Sequence, residues 1–568
     1  MPEPLTYTPG RVWAPTPQVL ELIADDCSGA DPTAVALQRQ PNGWWAPPQP
    51  IEPSTRYSFR VDGDVLADPA SRWQPNGIDG PSAVDDPGAF AWTDAGFAPP
   101  PWNTAVIYEL HLGTFSGSGD AAGAVDHLGH LVDLGVTHVE IMPLGTYGGR
   151  WGWGYDGVFW SAPHHTYGEP DDIRRLIDAC HGHGLGVIID VVYNHLGPVG
   201  NVLARFGPYF TEQHHTPWGS AINLDQEGSD GVRHRILSDA TMWLRDYHAD
   251  GLRLDAVHAL IDDSTPHLLA ELGAAADALA AQQDREIVLI AETDLHDPTP
   301  VTSRVDGGYG LGAQWADDLH HAVHVALTGE STGYYGEYQA PGLIAEALNS
   351  VHTQGRPVGD LPRERFVVSL QNHDQIGNRP AGDRLHHSVG SEMVRAAATL
   401  FLLAPTTPMI FQGEEWAASS PFPYFADHTG ELADAIREGR EREFAWTETD
   451  DGPELPDALA EATYRSAALD WDELGDGEHL ATLDWYRELL ALRRDHPELG
   501  ASTPISATQD DNAVVTAQRG AFTIVANLST ATAAQAEGHI VAFTGAVAAD
   551  ATGIVVIGPQ SAVVLSHP

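Results

Sequence analysis

Acidic, amide and imidazole side chains close several short apolar runs that lie far apart in this chain. The most informative is Asp250-Gly251-Leu252-Arg253-Leu254-Asp255. Side chains alternate faces along a strand, so Leu252 and Leu254 point one way and Arg253 and Asp255 the other. A guanidinium and a carboxylate on the inward face of an apolar strand are costly unless they pair. Beside Arg253, Asp255 should stay ionised at neutral pH, because a nearby cation favours the charged form. An ionised carboxylate at a strand end suits a covalent nucleophile, while a structural Arg–Asp pair is the other use of such a hexapeptide. The pattern recurs. Asp190 lies in the run Gly186–Val192, which leads to Tyr193-Asn194-His195. Leu289-Ile290-Ala291 precedes Glu292, and Phe366–Leu370 leads to Asn372-His373-Asp374.

Two carboxylates in contrasting surroundings can cleave an acetal with retention. One attacks the anomeric carbon and the other, kept protonated, delivers a proton to the leaving oxygen, the pair standing about 5–5.5 Å apart. Asp255 suits the first role. Glu292, after an apolar strand, suits the second, because burial raises a carboxyl's pKa. A divalent-cation site is the competing use of clustered acids and histidines, but Arg253 would compete with the ion. No metal and no cofactor is expected. Most of the doublets His164-His165, His214-His215, His320-His321 and His386-His387 read as loop or surface histidines, since neighbours in sequence rarely converge on one ion.

These residues need a scaffold that brings strand ends together. From Trp102 the pattern is strand, loop, helix, repeated. Strands are expected at Val106–Tyr108, Val136–Met142, Gly186–Val192, Gly251–Leu254, Ile287–Ala291, Phe366–Leu370 and Met409–Phe411. Helices are expected at Ala121–Leu134 (with Leu128, Leu131 and Val132 on one face), Asp171–His183, Asp230–Tyr247, 265–282 and Ser391–Leu403. A long loop is expected over 193–229. Near-continuous apolar strands alternating with helices imply a parallel sheet covered on both faces. About eight such units fit an α/β (β/α)8 barrel, with active residues at the C-terminal ends of its strands. A doubly wound open sheet is the alternative, but no Gly-rich dinucleotide fingerprint supports it. Residues 1–98 alternate in short runs, with a hairpin signal at Asp62-Gly63, and suggest a β-sandwich. Its Trp44 and Trp45 suit either sugar stacking or core packing. The barrel would occupy 99–497, opening on the stiff Pro99-Pro100-Pro101. Strand-like runs at Ala521–Val525 and Ser561–Leu565 suggest a small C-terminal β-domain, 498–568. The acidic run Thr447–Glu454 reads as a solvated loop.

Composition narrows the chemistry. The 79 acidic residues outnumber the 29 basic ones, for a net charge of −50, and every basic residue is arginine. Without lysine, Schiff-base, pyridoxal-phosphate and P-loop chemistries are excluded. The strong negative field argues against nucleic-acid and anionic-membrane partners and suits a neutral substrate. Two cysteines, Cys27 and Cys180, give no disulfide framework, so a cytoplasmic setting is expected. Met1-Pro2-Glu3-Pro4 does not read as a secretory signal. The uncharged run after Arg395 is broken by Pro405 and Pro408, so it reads as a core helix and strand and not as a membrane span.

Asp190-Val191-Val192-Tyr193-Asn194-His195, Gly251–Asp255, Ala291-Glu292 and Asn372-His373-Asp374 resemble, in order and spacing, the four signature regions of the α-amylase family of glycoside hydrolases. Within that family the chain is most similar to the maltooligosyltrehalose trehalohydrolases. The similarity starts at Arg11–Pro15 and includes Trp153–Val158, Gln314–His321, Leu327–Glu330 and Phe411–Trp416. The resemblance implies that Asp255 is the nucleophile, Glu292 the proton donor and Asp374 the transition-state stabiliser. It implies substrate contacts from Tyr155, His195, Arg253 and His373. Further contacts would come from Ala256, Val257 and His258, from Asp317, Asp318, Leu319 and His320, and from Gln375, Ile376, Gly377, Asn378 and Arg379. Ala316 and His296 stand where this group more often has Asn. The implied reaction is hydrolysis of the α-1,4 bond next to the terminal trehalose of maltooligosyl trehalose, made by a partner synthase. A glycogen branching or debranching enzyme, or a non-catalytic carbohydrate-binding protein, would share part of the pattern.

Overall fold

A computed structural model describes residues 7–25, 33–444, 455–501, 503–551 and 553–567. The readings of the first four residues, of Cys27 and of Thr447–Glu454 lie outside the described residues. Eight strands form the centre: Ile107–Leu110, His138–Ile141, Gly186–Val191, Gly251–Leu254, Val288–Ala291, Ala313–Trp315, Phe366–Val368 and Thr407–Phe411. Each pairs in parallel with the next, and the last closes on the first with Met409 opposite Ile107. Closure excludes the open sheet. Every residue of these strands is buried, which is why they read as near-continuous apolar runs. The sixth, Ala313–Trp315, is only three residues long and gives no sequence signal of its own.

Inside the barrel, Ile107, Ile188, Ile290, Ala313, Val367 and Met409 belong to one apolar cluster. Two residues further along the first, third and fifth of these strands stand Glu109, Asp190 and Glu292, on the same face by the period-2 rule. On the fourth strand Gly251 precedes Arg253 in the same way. A Cβ on Gly251 would lie 2.6 Å from the Val288 carbonyl oxygen, so this step of the packed interior has room only for glycine. One pleat therefore carries the inward face from oil to charge.

The helices bury one stripe against this barrel. Pro170–Gly182 opens with a proline in its first turn, and the Asp172 side chain accepts the Glu169 backbone N–H at 2.7 Å; Ile173, Leu176, Ile177 and Cys180 face inward. The expected helix Ala121–Leu134 is instead two helices, Ala121–Val125 and Leu128–Leu134. At the break, His127 lies flat on Trp471 at 3.8 Å, a contact that no local pattern announces. The second helix buries Leu128, Leu131 and Leu134, and Val132 is 42% exposed, so it does not belong to the inward face. The stretch 193–229 is not plain loop: it holds a helical turn, Leu203–Phe206, and a hairpin, Phe210–Thr216 with Gly219–Ile222. Nor are the histidine doublets all superficial. His164 and His320 are buried, their rings held by the Thr166 hydroxyl at 2.7 Å and the Tyr335 hydroxyl at 2.9 Å.

Before the barrel lie two antiparallel sheets, one of Val12–Trp13, Trp44–Ala46 and Gln38–Arg39, the other of Thr33–Ala36, Leu20–Asp25, Arg56–Val61 and Asp64–Leu66, with Ser82–Ala83 paired to Arg56–Val61. Trp45 is core: it is buried and donates to the Ala14 carbonyl at 2.8 Å. Trp44 is half-buried, between the Arg11 guanidinium at 4.4 Å and the edge-on ring of His234 at 5.2 Å. After the barrel come a five-stranded antiparallel sheet, in the order Ser506–Gln509, Val514–Arg519, Phe522–Asn527, Ser561–Ser566, His539–Thr544, and a three-stranded one. Among the described residues no helix is long and apolar enough to cross a membrane.

Candidate active site

Arg253 is the hub of the barrel mouth. It is fully buried, and its Nη1 donates to both Asp190 oxygens at 2.9 Å and to Asp255 Oδ1 at 2.7 Å. Nη2 lies 3.7 Å from Glu292 Oε2, and the guanidinium sits over the Trp315 ring at 4.4 Å. The other Asp255 oxygen accepts from Asn194 Nδ2 at 2.6 Å. Two N–H donors, one cationic, thus fix the Asp255 carboxylate as an acceptor, the posture a nucleophile needs. Glu292 accepts the backbone N–H of Ala256, and Val257 N–H donates to the Glu292 carbonyl at 2.9 Å, so the turn after Asp255 is tied to the end of the fifth strand. Ala256 takes a left-handed φ of 39° to make that turn.

Asp374 enters from the seventh strand. Asn372 caps the short helix His373–Gly377 by accepting from Asp374 N–H at 3.0 Å and Gln375 N–H at 3.2 Å, which leaves the Asp374 side chain half-exposed toward the mouth. His373 Nε2 is 3.5 Å from Asp374 Oδ2. Tyr155 joins the two sides: its ring lies parallel to His373 at 5.1 Å, and its hydroxyl donates to Asp190 at 2.6 Å. His195 Nε2–H donates to the Tyr155 carbonyl at 3.0 Å.

Of the three carboxyls beside Arg253, burial raises two, Glu292 and Asp190. Burial foremost, opposed by Arg253 but helped by Asp255 and Asp374, pushes Glu292 up from 4.5 to about 8, so it keeps its proton at neutral pH. Asp190 rises to about 6, burial again outweighing Arg253. Glu140, on the second strand, is held well above the usual carboxylate range by burial, and neither of its oxygens has a hydrogen-bond partner among the described residues. Burial lowers His195, leaving it neutral. A carboxyl that keeps its proton beside one held by a guanidinium and an amide is the division of labour that retaining acetal cleavage requires.

Comparisons with known proteins give the family of the chain. The alpha-amylase catalytic-domain family model matches residues 90–213. A malto-oligosyltrehalose trehalohydrolase from Arthrobacter ramosus is 43% identical, over 97% of this chain and 98% of its own length. The chain belongs to that family. The Mycobacterium tuberculosis (strain CDC 1551 / Oshkosh) member is 43% identical over 86% of both chains. A Salmonella typhimurium structure assigned to the alpha amylases superposes with a TM-score of 0.86 at 35% identity, covering 98% of this chain and 97% of its own. A glucan branching enzyme from Pseudoalteromonas atlantica is only 25% identical, over 89% of this chain and 73% of its own.

Of the other residues singled out from the family pattern, Asp317 is half-buried and accepts from Gln375 Nε2 at 3.2 Å; burial, then Asp318 and Asp374, raise it to about 7. His258 is exposed, 3.5 Å from Asp294. Asn378 is exposed, with Nδ2 3.4 Å from Asp374 Oδ1, and Arg379 pairs with Glu330 at 2.9 Å. Asp318, Leu319, His320 and Ile376 turn into the packing behind the mouth. Asp318 accepts from Thr353 and Tyr338, His320 meets Tyr335, and Leu319 and Ile376 join apolar clusters. Side chains with metal-ligand spacing among the described residues are His214, Asp225 and Asp263, none of which is a carboxylate of the mouth. Four contributors escaped the reading of the sequence. Glu109 and Glu140 sit at inward strand positions that the period-2 rule could have flagged. Trp315 lies on the short sixth strand. Trp218, 52% exposed in the tip of the hairpin, stacks on His195 at 4.5 Å, and no local signal marks it.

Proposed function

We propose that this chain is a retaining glycoside hydrolase that cleaves the α-1,4-glucosidic bond next to the terminal trehalose unit of maltooligosyl trehalose, releasing trehalose and a shortened maltooligosaccharide. Asp255 attacks the anomeric carbon while Glu292 protonates the glycosidic oxygen. The glycosyl–enzyme ester is then hydrolysed by a water that Glu292, now ionised, deprotonates. Asp374 accepts hydrogen bonds from ring hydroxyls of the distorted sugar, and Tyr155, His195, Arg253 and His373 line the same subsite. The observation that carries the reading is the contrast between Asp255, clamped by Arg253 and Asn194, and the protonated Glu292 at the neighbouring strand end.

Near-full-length likeness at 43% identity favours the trehalose-releasing reaction over branching, where the likeness is 25%. The substrate implies a preceding enzyme that rearranges the reducing end of a maltooligosaccharide into a trehalose unit, and a cytoplasmic setting. Chromatographic product analysis tests this on maltooligosyl trehalose and on a maltooligosaccharide of equal length, with Asp255→Ala as the control. Trehalose as the product of the first substrate is expected. Glucose or maltose alone, an altered branching pattern on glycogen, or full activity in Asp255→Ala would overturn the reading.

A further inference from the structure

Glu109, on the first barrel strand, has no part in the reaction described above. Both it and His373 are 1% exposed. Glu109 Oε1 lies 2.5 Å from His373 Nδ1, and Oε2 accepts the His373 backbone N–H at 3.2 Å. One carboxylate therefore grips the ring and the main chain of the same residue. With Nδ1–H committed to Glu109, Nε2 is the ring atom left to face Asp374, 3.5 Å from its Oδ2. The parallel Tyr155 ring at 5.1 Å and the edge-on Trp153 at 5.5 Å keep the imidazole from swinging away.

We propose that Glu109 is a positioning residue for this site: it holds His373 as an imidazolium whose Nε2–H points at Asp374 and at the sugar hydroxyls beside it. The proposal rests on the hydrolase reading above. A cation there partly neutralises Asp374 and donates a charge-assisted hydrogen bond to whatever occupies the subsite. Seven charged or titratable groups among the described residues bear on His373, one of them the Tyr155 phenol, which burial keeps neutral. Glu109 and Asp374 favour its charged form, as do Asp190 and Glu140 when ionised, while Arg253 and His111 oppose it. Burial lowers His111 to about 4, so it is neutral at pH 7, and burial favours the protonated form of Glu140. Burial also works against the charge on His373 itself, but Asp374 and Glu109 more than offset this and leave it at about 9. Without the Glu109 charge, burial and Arg253 act against Asp374 and Asp190. The imidazolium then gives up its proton at lower pH.

The test compares wild type with Glu109→Gln, which keeps the shape and removes the charge, and Glu109→Asp, which keeps the charge. The pH profile of kcat/KM for trehalose release is the first readout. In wild type Glu292, at about 8, sets the alkaline limb; in Glu109→Gln His373 should lose its proton below that value, so the limb should move toward acid by about one pH unit or more, with activity recovering at low pH. In Glu109→Asp the limb should stay within a few tenths of a unit, about its wild-type place. The second readout needs no turnover: the ring-nitrogen resonances of 15N-histidine-labelled protein, with His373 assigned by its loss in His373→Asn. A doubly protonated His373 at neutral pH in wild type, singly protonated in Glu109→Gln, is expected. A Glu109→Gln variant whose activity falls equally at every pH, or whose His373 keeps both protons, overturns the proposal. A wild type that releases no trehalose yet shows the His373 change would instead overturn the hydrolase reading alone.

Discussion

Glu292→Gln separates what this side chain does for turnover from what it costs the fold. Gln cannot give up a proton, so loss of general-acid help should lower kcat by about 10²–10⁴-fold while oligosaccharide binding persists. Stability should move the other way. Below the usual carboxyl value of 4.5, folded and unfolded chains both hold the proton. Between 4.5 and about 8 only the folded chain does. Wild-type stability therefore falls as pH rises through that window, because the unfolded state is the one that releases the proton. At pH 7, about 2.5 pH units above the unfolded value, the loss is up to about 3 kcal/mol. Gln escapes this penalty, so the variant should gain on wild type as pH rises, the gain levelling off above about pH 8. Urea denaturation of both proteins from about pH 5 to about pH 8 reads the difference directly. Wild-type turnover in the variant, or a stability difference that is flat across that range, would refute the reasoning.

Three other perturbations follow from the same geometry. Arg253→Met strips the cation from Asp190 and Asp255 and should cost about 3–5 kcal/mol in urea denaturation, with loss of activity. Gly377→Ala would place a Cβ 1.9 Å from the Trp153 ring that backs His373; about 1–3 kcal/mol of destabilisation and a fall in kcat are expected, and an unperturbed enzyme would show that the ring has room to retreat. Glu330 is lowered to about 2 by its bonds to His324 and Arg379. A lowered carboxyl contributes stability above the unfolded value of 4.5 that is lost as pH falls toward 2, so Glu330→Gln should be destabilised at pH 7 and match wild type near the acid limit, read by thermal unfolding at several pH values.

Much of the fold was legible because its signals are local. Continuous apolar strands such as Gly186–Val191, amphipathic helices such as Pro170–Gly182 and the Asp62-Gly63 turn each depend on neighbours within a few residues. The readings that failed depend on distant partners. Helix Ala121–Leu134 breaks where His127 meets Trp471, and Ala313–Trp315 is a strand because the barrel needs its sixth edge paired on both sides.

By itself the sequence determined which residue types close the strands: the period-2 alternation sets Arg253 and Asp255 on one face, and the absence of lysine removes rival chemistries. Only the tertiary structure decided which of those groups keeps its proton. Burial and the field of Arg253, Asp255 and Asp374 act through space, and they raise Glu292 to about 8. The same holds for the Glu109 grip on His373 and for Trp218 laid on His195, since both pairs meet only when the barrel closes and the hairpin folds over its rim.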